Sequence, residues 1–241
     1  MKSFKLLPVF LLFLLAGFRN DHVENDPNKS SHPVADVASA TDTLAYLALG
    51  DSYTVGRLVP AEDSYPFQLA AKLRSKNLNV AVPTLIAQNG WRTDELIKGI
   101  TNSGITQKFD IVTLLIGVNN QYQGFDIAIY RSEFVQLLNT AISFAKGNKK
   151  HVFVLSIPDW GVTPFATGRN PGKIAGLIDQ YNAINREESD KAGVNYVDVT
   201  DISRAMSDDP AFLASDRLHP SGKMYALWAN GLLRNVMRNL K

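Results

Sequence analysis

The chain has 241 residues, 45% hydrophobic and 20% charged, which suits one good-sized folded core and excludes a disordered or fibrous protein. Its formal net charge is +2, and two of its cations, Lys2 and Lys5, belong to an N-terminal leader-like segment. The rest is therefore near neutral and carries no electrostatic footprint for nucleic acid. The absence of cysteine excludes a disulfide framework, a thiolate metal site and a cysteine nucleophile.

Taken from the N-terminus, Lys2 and Lys5 precede an apolar run over 6–17. This is a basic n-region followed by a signal-type h-region, too short to cross a bilayer. Residues 1–17 are thus expected to be a signal peptide or N-terminal anchor, implying export to the periplasm or the extracellular space. The sequence Leu14-Leu15-Ala16-Gly17 resembles the start of a bacterial lipoprotein signal and suggests envelope attachment, but Phe18 stands where that pattern requires cysteine. Residues 18–43, rich in Asp, Asn, Ser, Pro and Ala without apolar periodicity, are expected to be a flexible linker.

From position 44 to 241 the pattern is that of one α/β domain. Short, almost continuously apolar runs at 44–49, 80–87, 111–116, 152–157 and 196–199 read as strands covered on both faces. Helical patterns at 65–76, 93–100, 130–146, 173–191 and 221–240 alternate with them. That alternation predicts a parallel sheet between two helical layers. Ligands of such sheets bind beyond the carboxyl ends of the strands, where the loops converge.

The loops at that edge carry the chemistry. After the first strand stands Gly50-Asp51-Ser52-Tyr53-Thr54-Val55-Gly56, which sets a serine hydroxyl on a tight turn. Such a hydroxyl needs a neighbouring base to become a nucleophile. Near the C-terminus, Ser215-Asp216-Arg217-Leu218-His219-Pro220 lets one short loop present an imidazole and a carboxylate. His219 is placed to take the proton of Ser52, and Asp216 to fix its tautomer. After the second and third strands come Gln88-Asn89-Gly90-Trp91 and Gly117-Val118-Asn119-Asn120. The backbone N–H groups of Ser52 and Gly90 and the side-chain amide of Asn119 are candidate oxyanion donors, each worth roughly 3 kcal/mol of barrier. Trp91, Tyr122 and Trp160 are candidate substrate contacts, and 158–165 is a candidate pocket wall. Asp51 reads as a loop-fixing residue and Asp110 as structural. No cofactor, metal or nucleotide motif is present.

These four blocks, in this order, resemble those of the SGNH hydrolases, the GDSL esterase and lipase family, over about residues 44–240. The resemblance implies a flavodoxin-like three-layer α/β/α sandwich with a five-stranded parallel sheet. It also implies Ser52 as nucleophile, an Asp216–His219 pair, and an oxyanion hole of Ser52, Gly90 and Asn119. Two positions depart from the commonest pattern: Tyr53, where leucine is frequent, and Asn120, where aspartate usually follows the oxyanion asparagine. The expected activity is hydrolysis of short-chain acyl esters such as O-acetylated carbohydrate. Alternatives are a lysophospholipase or other lipid esterase, an O-acyltransferase, and a catalytically silent module that binds acylated glycans. The sequence does not decide the oligomeric state.

Overall fold

The computed structural model describes residues 43–206 and 209–240; the leader at 1–17 and nearly all of the linker at 18–43 lie outside the described residues. The elements run β1 (Tyr46–Gly50), α1 (Ser52–Val55), α2 (Tyr65–Arg74), β2 (Thr84–Ala87), α3 (Thr93–Ser103), β3 (Ile111–Leu115), α4 (Val118–Tyr122), α5 (Ile127–Phe144), β4 (Val152–Leu155), α6 (Pro171–Ala192), β5 (Asn195–Val197), α7 (Thr200–Ala205) and α8 (Gly222–Asn239). The strands form one parallel sheet of order β2-β1-β3-β4-β5, the flavodoxin-like order, in a three-layer α/β/α fold. Helix α2 packs on α8, and α5 packs against both α3 and α6.

Strands β1, β3 and β4 are buried along their whole length, as their unbroken apolar runs require of a doubly covered sheet. The expected second strand is shortened: Pro83 cannot donate to a ladder, and β2 begins only at Thr84. Val80 instead makes an isolated bridge to Leu44. Helix α5 starts before the predicted boundary because the Asp126 side chain accepts from the N–H groups of Ala128 and Ile129, an N-cap. Helix α6 likewise starts early, with Asn170 as cap and Pro171 at its first turn, where a missing N–H costs nothing. The short helices α1, α4 and α7 escape periodicity because none shows more than two turns.

The core is largely apolar, and one of its buried hydroxyl networks is a ladder behind the site. Tyr46 Oη and Tyr65 Oη each hydrogen-bond Thr113 Oγ1, at 3.1 and 3.3 Å, and Tyr65 Oη also meets Thr54 Oγ1 at 3.3 Å. The ladder ties β1, β3, α1 and α2 together behind the site. At the far edge Asp110 accepts from Ala45 N–H at 2.9 Å and from Lys146 at 2.6 Å, the structural role expected of it.

Sheet register decides what the strand ends present. Gly50, the last residue of β1, lies opposite both Ala87 of β2 and Leu115 of β3, so the three strands end level. A Cβ at Gly50 would fall 2.2 Å from Thr54 Oγ1 and 2.3 Å from the Leu115 carbonyl oxygen. The second of these is backbone in the central strand and cannot yield cheaply. Gly50→Ala is therefore expected to cost about 1–3 kcal/mol, seen as a lowered denaturation midpoint with an unchanged slope in a urea titration.

Candidate active site

Asp51 and Ser52 leave β1 and enter α1 directly. The Asp51 carboxylate caps that helix, accepting from Tyr53 N–H at 3.0 Å, the loop-fixing role expected from the sequence. Burial pushes the Asp51 carboxyl up to about 7, only partly opposed by hydrogen bonds from the backbone of Tyr53 and its own N–H. Its Oδ2 has no hydrogen-bond partner among the described residues. Ser52 follows, 6% exposed, at the floor of a cavity of about 540 Å³.

The partner loop is a small hairpin between 212 and 221. Leu213 bridges Pro220, Ala214 N–H donates to the His219 carbonyl at 2.7 Å, and Ser221 N–H donates to the Phe212 carbonyl at 2.9 Å. Arg217 turns the tip in the left-handed region, φ 59°. That turn aims the N–H groups of Leu218 and His219 at Asp216 Oδ1, at 3.1 and 3.0 Å. The other carboxylate oxygen meets His219 Nδ1 at 2.6 Å, and His219 Nε2 lies 3.0 Å from Ser52 Oγ. Hydroxyl, imidazole and carboxylate thus stand in one line across 167 positions of sequence.

Burial is the largest influence on His219 and lowers its pKa, outweighing the opposing hydrogen bond and charge of Asp216; the Arg57 cation adds to the lowering. Burial alone would raise Asp216, but the hydrogen bonds from the His219 backbone, the His219 ring and Leu218 N–H reverse it and hold the carboxyl below its ordinary value. At neutral pH the pair is therefore a neutral imidazole beside an ionised carboxylate, the state that accepts a proton at Nε2. The ring of Tyr53 packs 5.6 Å from that of His219, so the residue after Ser52 helps wall the imidazole.

The opposite wall comes from the ends of β2 and β3. Gly90 lines the cavity with φ 84°, a left-handed conformation in which a side chain would be strained. Asn119 also lines it; its Nδ2 donates to the Trp91 carbonyl at 3.0 Å, which orients the amide and leaves its second N–H to give. Ser52, Gly90 and Asn119 are thus brought together around one space. Asn120, the position that departs from the commonest pattern, is fully buried. Its Oδ1 accepts from Thr93 N–H at 3.1 Å and its Nδ2 donates to Thr93 Oγ1 at 2.7 Å, while Thr93 Oγ1 donates to Glu133 at 2.5 Å. An amide fits here because the threonine hydroxyl is already committed to Glu133 and requires a donor from Asn120.

Tyr122 and Trp160 line the cavity, joined by Phe165 and Leu218. Trp160 Nε1 donates to Gln121 at 2.7 Å, which fixes the indole. Trp91, the third expected substrate contact, is not among the residues that line the cavity: its indole packs onto Gly99 of α3, where an added Cβ would fall 2.2 Å from Trp91 Cη2, and its carbonyl accepts from Asn119. The sequence reading passed over Arg57, which lines the cavity, and Arg169, stacked over Tyr122, Trp160 and Phe165. The available signal for Arg57 was its place directly after Gly56 at the end of the serine block. Among the described residues no cluster of His, Asp and Glu is placed to hold a metal ion, and no helix is long and apolar enough to cross a membrane.

An α/β/α sandwich whose strand ends assemble these groups defines a hydrolase-type site, and residues 48–227 match the GDSL-like lipase/acylhydrolase family. The chain belongs to that family. Among characterised relatives it is similar to an acetylxylan esterase of Geobacillus stearothermophilus, 24% identical over 143 residues, a match that spans 55% of this chain and 61% of that protein. The fold is similar to a solved structure of an acetyl xylan esterase from the same organism, with TM-score 0.59, 20% identity, and 80% of this chain and 94% of that one covered. It is also similar to a lipase/acylhydrolase from Enterococcus faecalis, with TM-score 0.63, 20% identity, and coverage of 83% and 98%. An esterase from Pseudoalteromonas sp. superposes with TM-score 0.63 at 13% identity, with 81% and 97% covered.

Two outcomes follow from these contacts. Asn120→Asp sets a buried acceptor against Thr93 Oγ1 and adds charge near Glu133, so it is expected to destabilise the fold by about 1–3 kcal/mol in a chemical melt. Asp51 binds a proton in the folded state that the unfolded chain has released between its ordinary value of 3.8 and about 7, so stability falls as pH rises through that window. Asp51→Asn keeps the acceptor for Tyr53 and removes the titration. It is expected to melt higher than the parent at about pH 8 and to lose that advantage by about pH 4.

Proposed function

We propose that the chain is a serine carboxylic-ester hydrolase acting through an acyl-enzyme on Ser52, with acetyl or another short acyl group on carbohydrate as its substrate. The observation that carries this reading is the line Ser52 Oγ, His219 Nε2, His219 Nδ1, Asp216 Oδ2, with contacts of 3.0 and 2.6 Å. The acetylxylan esterase relative supports the acyl and alcohol chosen, and the aromatic faces of Tyr122 and Trp160 suit a sugar ring. The leader at 1–17 would deliver the enzyme outside the cytoplasm, where such glycans are found.

In the first step Ser52 Oγ bonds to the ester carbonyl carbon as its proton passes to His219 Nε2. The displaced electron pair settles on the carbonyl oxygen, facing the N–H groups of Ser52, Gly90 and Asn119. Collapse of that oxyanion breaks the bond to the alcohol oxygen, which takes the proton from His219. Water then repeats the sequence in reverse sense, giving its proton to His219 and freeing the acid from Ser52. Asp216 keeps the imidazole in the tautomer that accepts at Nε2 and stabilises the imidazolium.

A fluorophosphonate probe is expected to label Ser52 in the wild-type chain and not in Ser52→Ala, read by peptide mass. Turnover of para-nitrophenyl esters is expected to fall from acetyl through butyryl to octanoyl; an octanoyl preference would move the substrate to lipid esters. Because His219 must be neutral, kcat/KM is expected to rise with pH and reach half its maximum below about 6.5. Full activity in Ser52→Ala would refute the assignment.

A further inference from the structure

The cavity at Ser52 is electrostatically one-sided. Among the described residues Asp216 is the one carboxylate that lines it, and both its oxygens are engaged by His219 and Leu218. Against it stands Arg57, exposed, lining the cavity, and with no side-chain hydrogen bond or ion pair among the described residues. A second cation, Arg169, sits over the rings of three cavity residues, 5.2 Å from Tyr122, 5.3 Å from Trp160 and 5.8 Å from Phe165. It donates one hydrogen bond, at 3.0 Å, to Tyr122 Oη, which leaves most of its five N–H donors facing outward.

Arg57 does not hang from the surface at random. Gly56 ends α1 in the left-handed conformation, φ 77°, and the N–H groups of Gly56 and Arg57 both donate to the Ser52 carbonyl at 3.1 Å. The backbone carrying the guanidinium is thus tied to the nucleophile's own peptide unit. Its charge is also felt by His219, whose proton affinity it lowers. In the reaction proposed above His219 hands its proton to the departing alcohol, so the alcohol portion of the ester lies on the His219 side, and Arg57 belongs to that side.

We propose, on the basis of the hydrolase reading, that the alcohol portion of the substrate carries an anionic group, a carboxylate or a phosphate, and that Arg57 is the residue that selects it. Arg169 forms the second positive edge, and the aromatic rings between the two arginines hold the uncharged part of the alcohol. For a carbohydrate substrate this means an O-acylated acidic glycan, in which a sugar carboxylate or a phosphodiester stands near the acylated hydroxyl. A planar carboxylate or a phosphate meets a guanidinium with paired N–H groups, which is why arginine at this position discriminates by geometry as well as by charge.

The test compares charge-matched acetates on the full chain and on Arg57→Gln and Arg57→Lys. Para-acetoxybenzoate and its methyl ester differ by one negative charge on the alcohol side, and para-acetoxyphenyl phosphate supplies the phosphate form. Para-nitrophenyl succinate against para-nitrophenyl butyrate places the charge on the acyl side instead. The ratio of kcat/KM for the anionic over the neutral alcohol is expected to fall about tenfold in Arg57→Gln, to be partly restored in Arg57→Lys, and to decline with added salt in the wild type. Which anionic probe shows the larger ratio tells carboxylate from phosphate. An unchanged ratio in a protein whose Ser52 still reacts with the fluorophosphonate overturns the anion reading and leaves the hydrolase standing, as does a charge effect confined to the acyl-side pair. A wild-type chain whose Ser52 does not label removes the hydrolase reading, and this inference with it.

Discussion

The hydrogen bond from Ser52 Oγ to His219 Nε2 joins two loops at opposite ends of the described chain, and it exists only because β1, β2 and β3 finish level. Gly50 permits that junction: it lets the Leu115 carbonyl and Thr54 approach closer than any side chain allows, where the chain leaves β1 and starts α1. The buried ladder of Tyr46, Thr113, Tyr65 and Thr54 holds the same junction from below. The site is thus a property of sheet register first and of side-chain chemistry second.

Much of this was legible from residue types. Fully buried parallel strands leave unbroken apolar runs, so β1, β3 and β4 were placed within a residue or two. The long helices α5, α6 and α8 showed their faces, although caps at Asp126 and Asn170 began two of them earlier than apolar spacing could indicate. Ser52, Asp216 and His219, which the structure brings into contact, were picked out because the expected chemistry demands a particular set of side chains on loops. The orientation of Trp91 was not legible, since an indole next to a motif can turn either way, and only the absence of a side chain at Gly99 provides its berth on α3. Arg57 and Arg169 were passed over because a cation near a site is indistinguishable in sequence from a solvated one; their significance comes from what does not neutralise them.

The two walls of the cavity differ in kind. One, at His219 and Tyr53, is packed and desolvated, which keeps the imidazole neutral. The other, at Tyr122, Trp160 and Phe165, is partly open and braced by Arg169, with Tyr122 and Phe165 among the most exposed large apolar side chains. On the proposed function, burial serves proton transfer at His219, while exposure serves recognition of a sugar or similar body at the aromatic wall. Asn120 belongs to neither wall, yet it determines where the second begins, because its amide clamps the start of α3 to the turn that carries Asn119.

The hairpin at 212–221 sets the Asp216–His219 pairing by itself. Both backbone N–H groups that hold the carboxylate come from the next residues of the same loop, so the hydrogen bonds that join acid and imidazole are internal to it, and the core adds the packing of Tyr53 against the imidazole ring. A displacement of this loop would carry the two groups together, altering the gap to the hydroxyl while preserving the choice of which ring nitrogen bears hydrogen. On the proposed mechanism, reactivity in such a design is governed by a single translational coordinate.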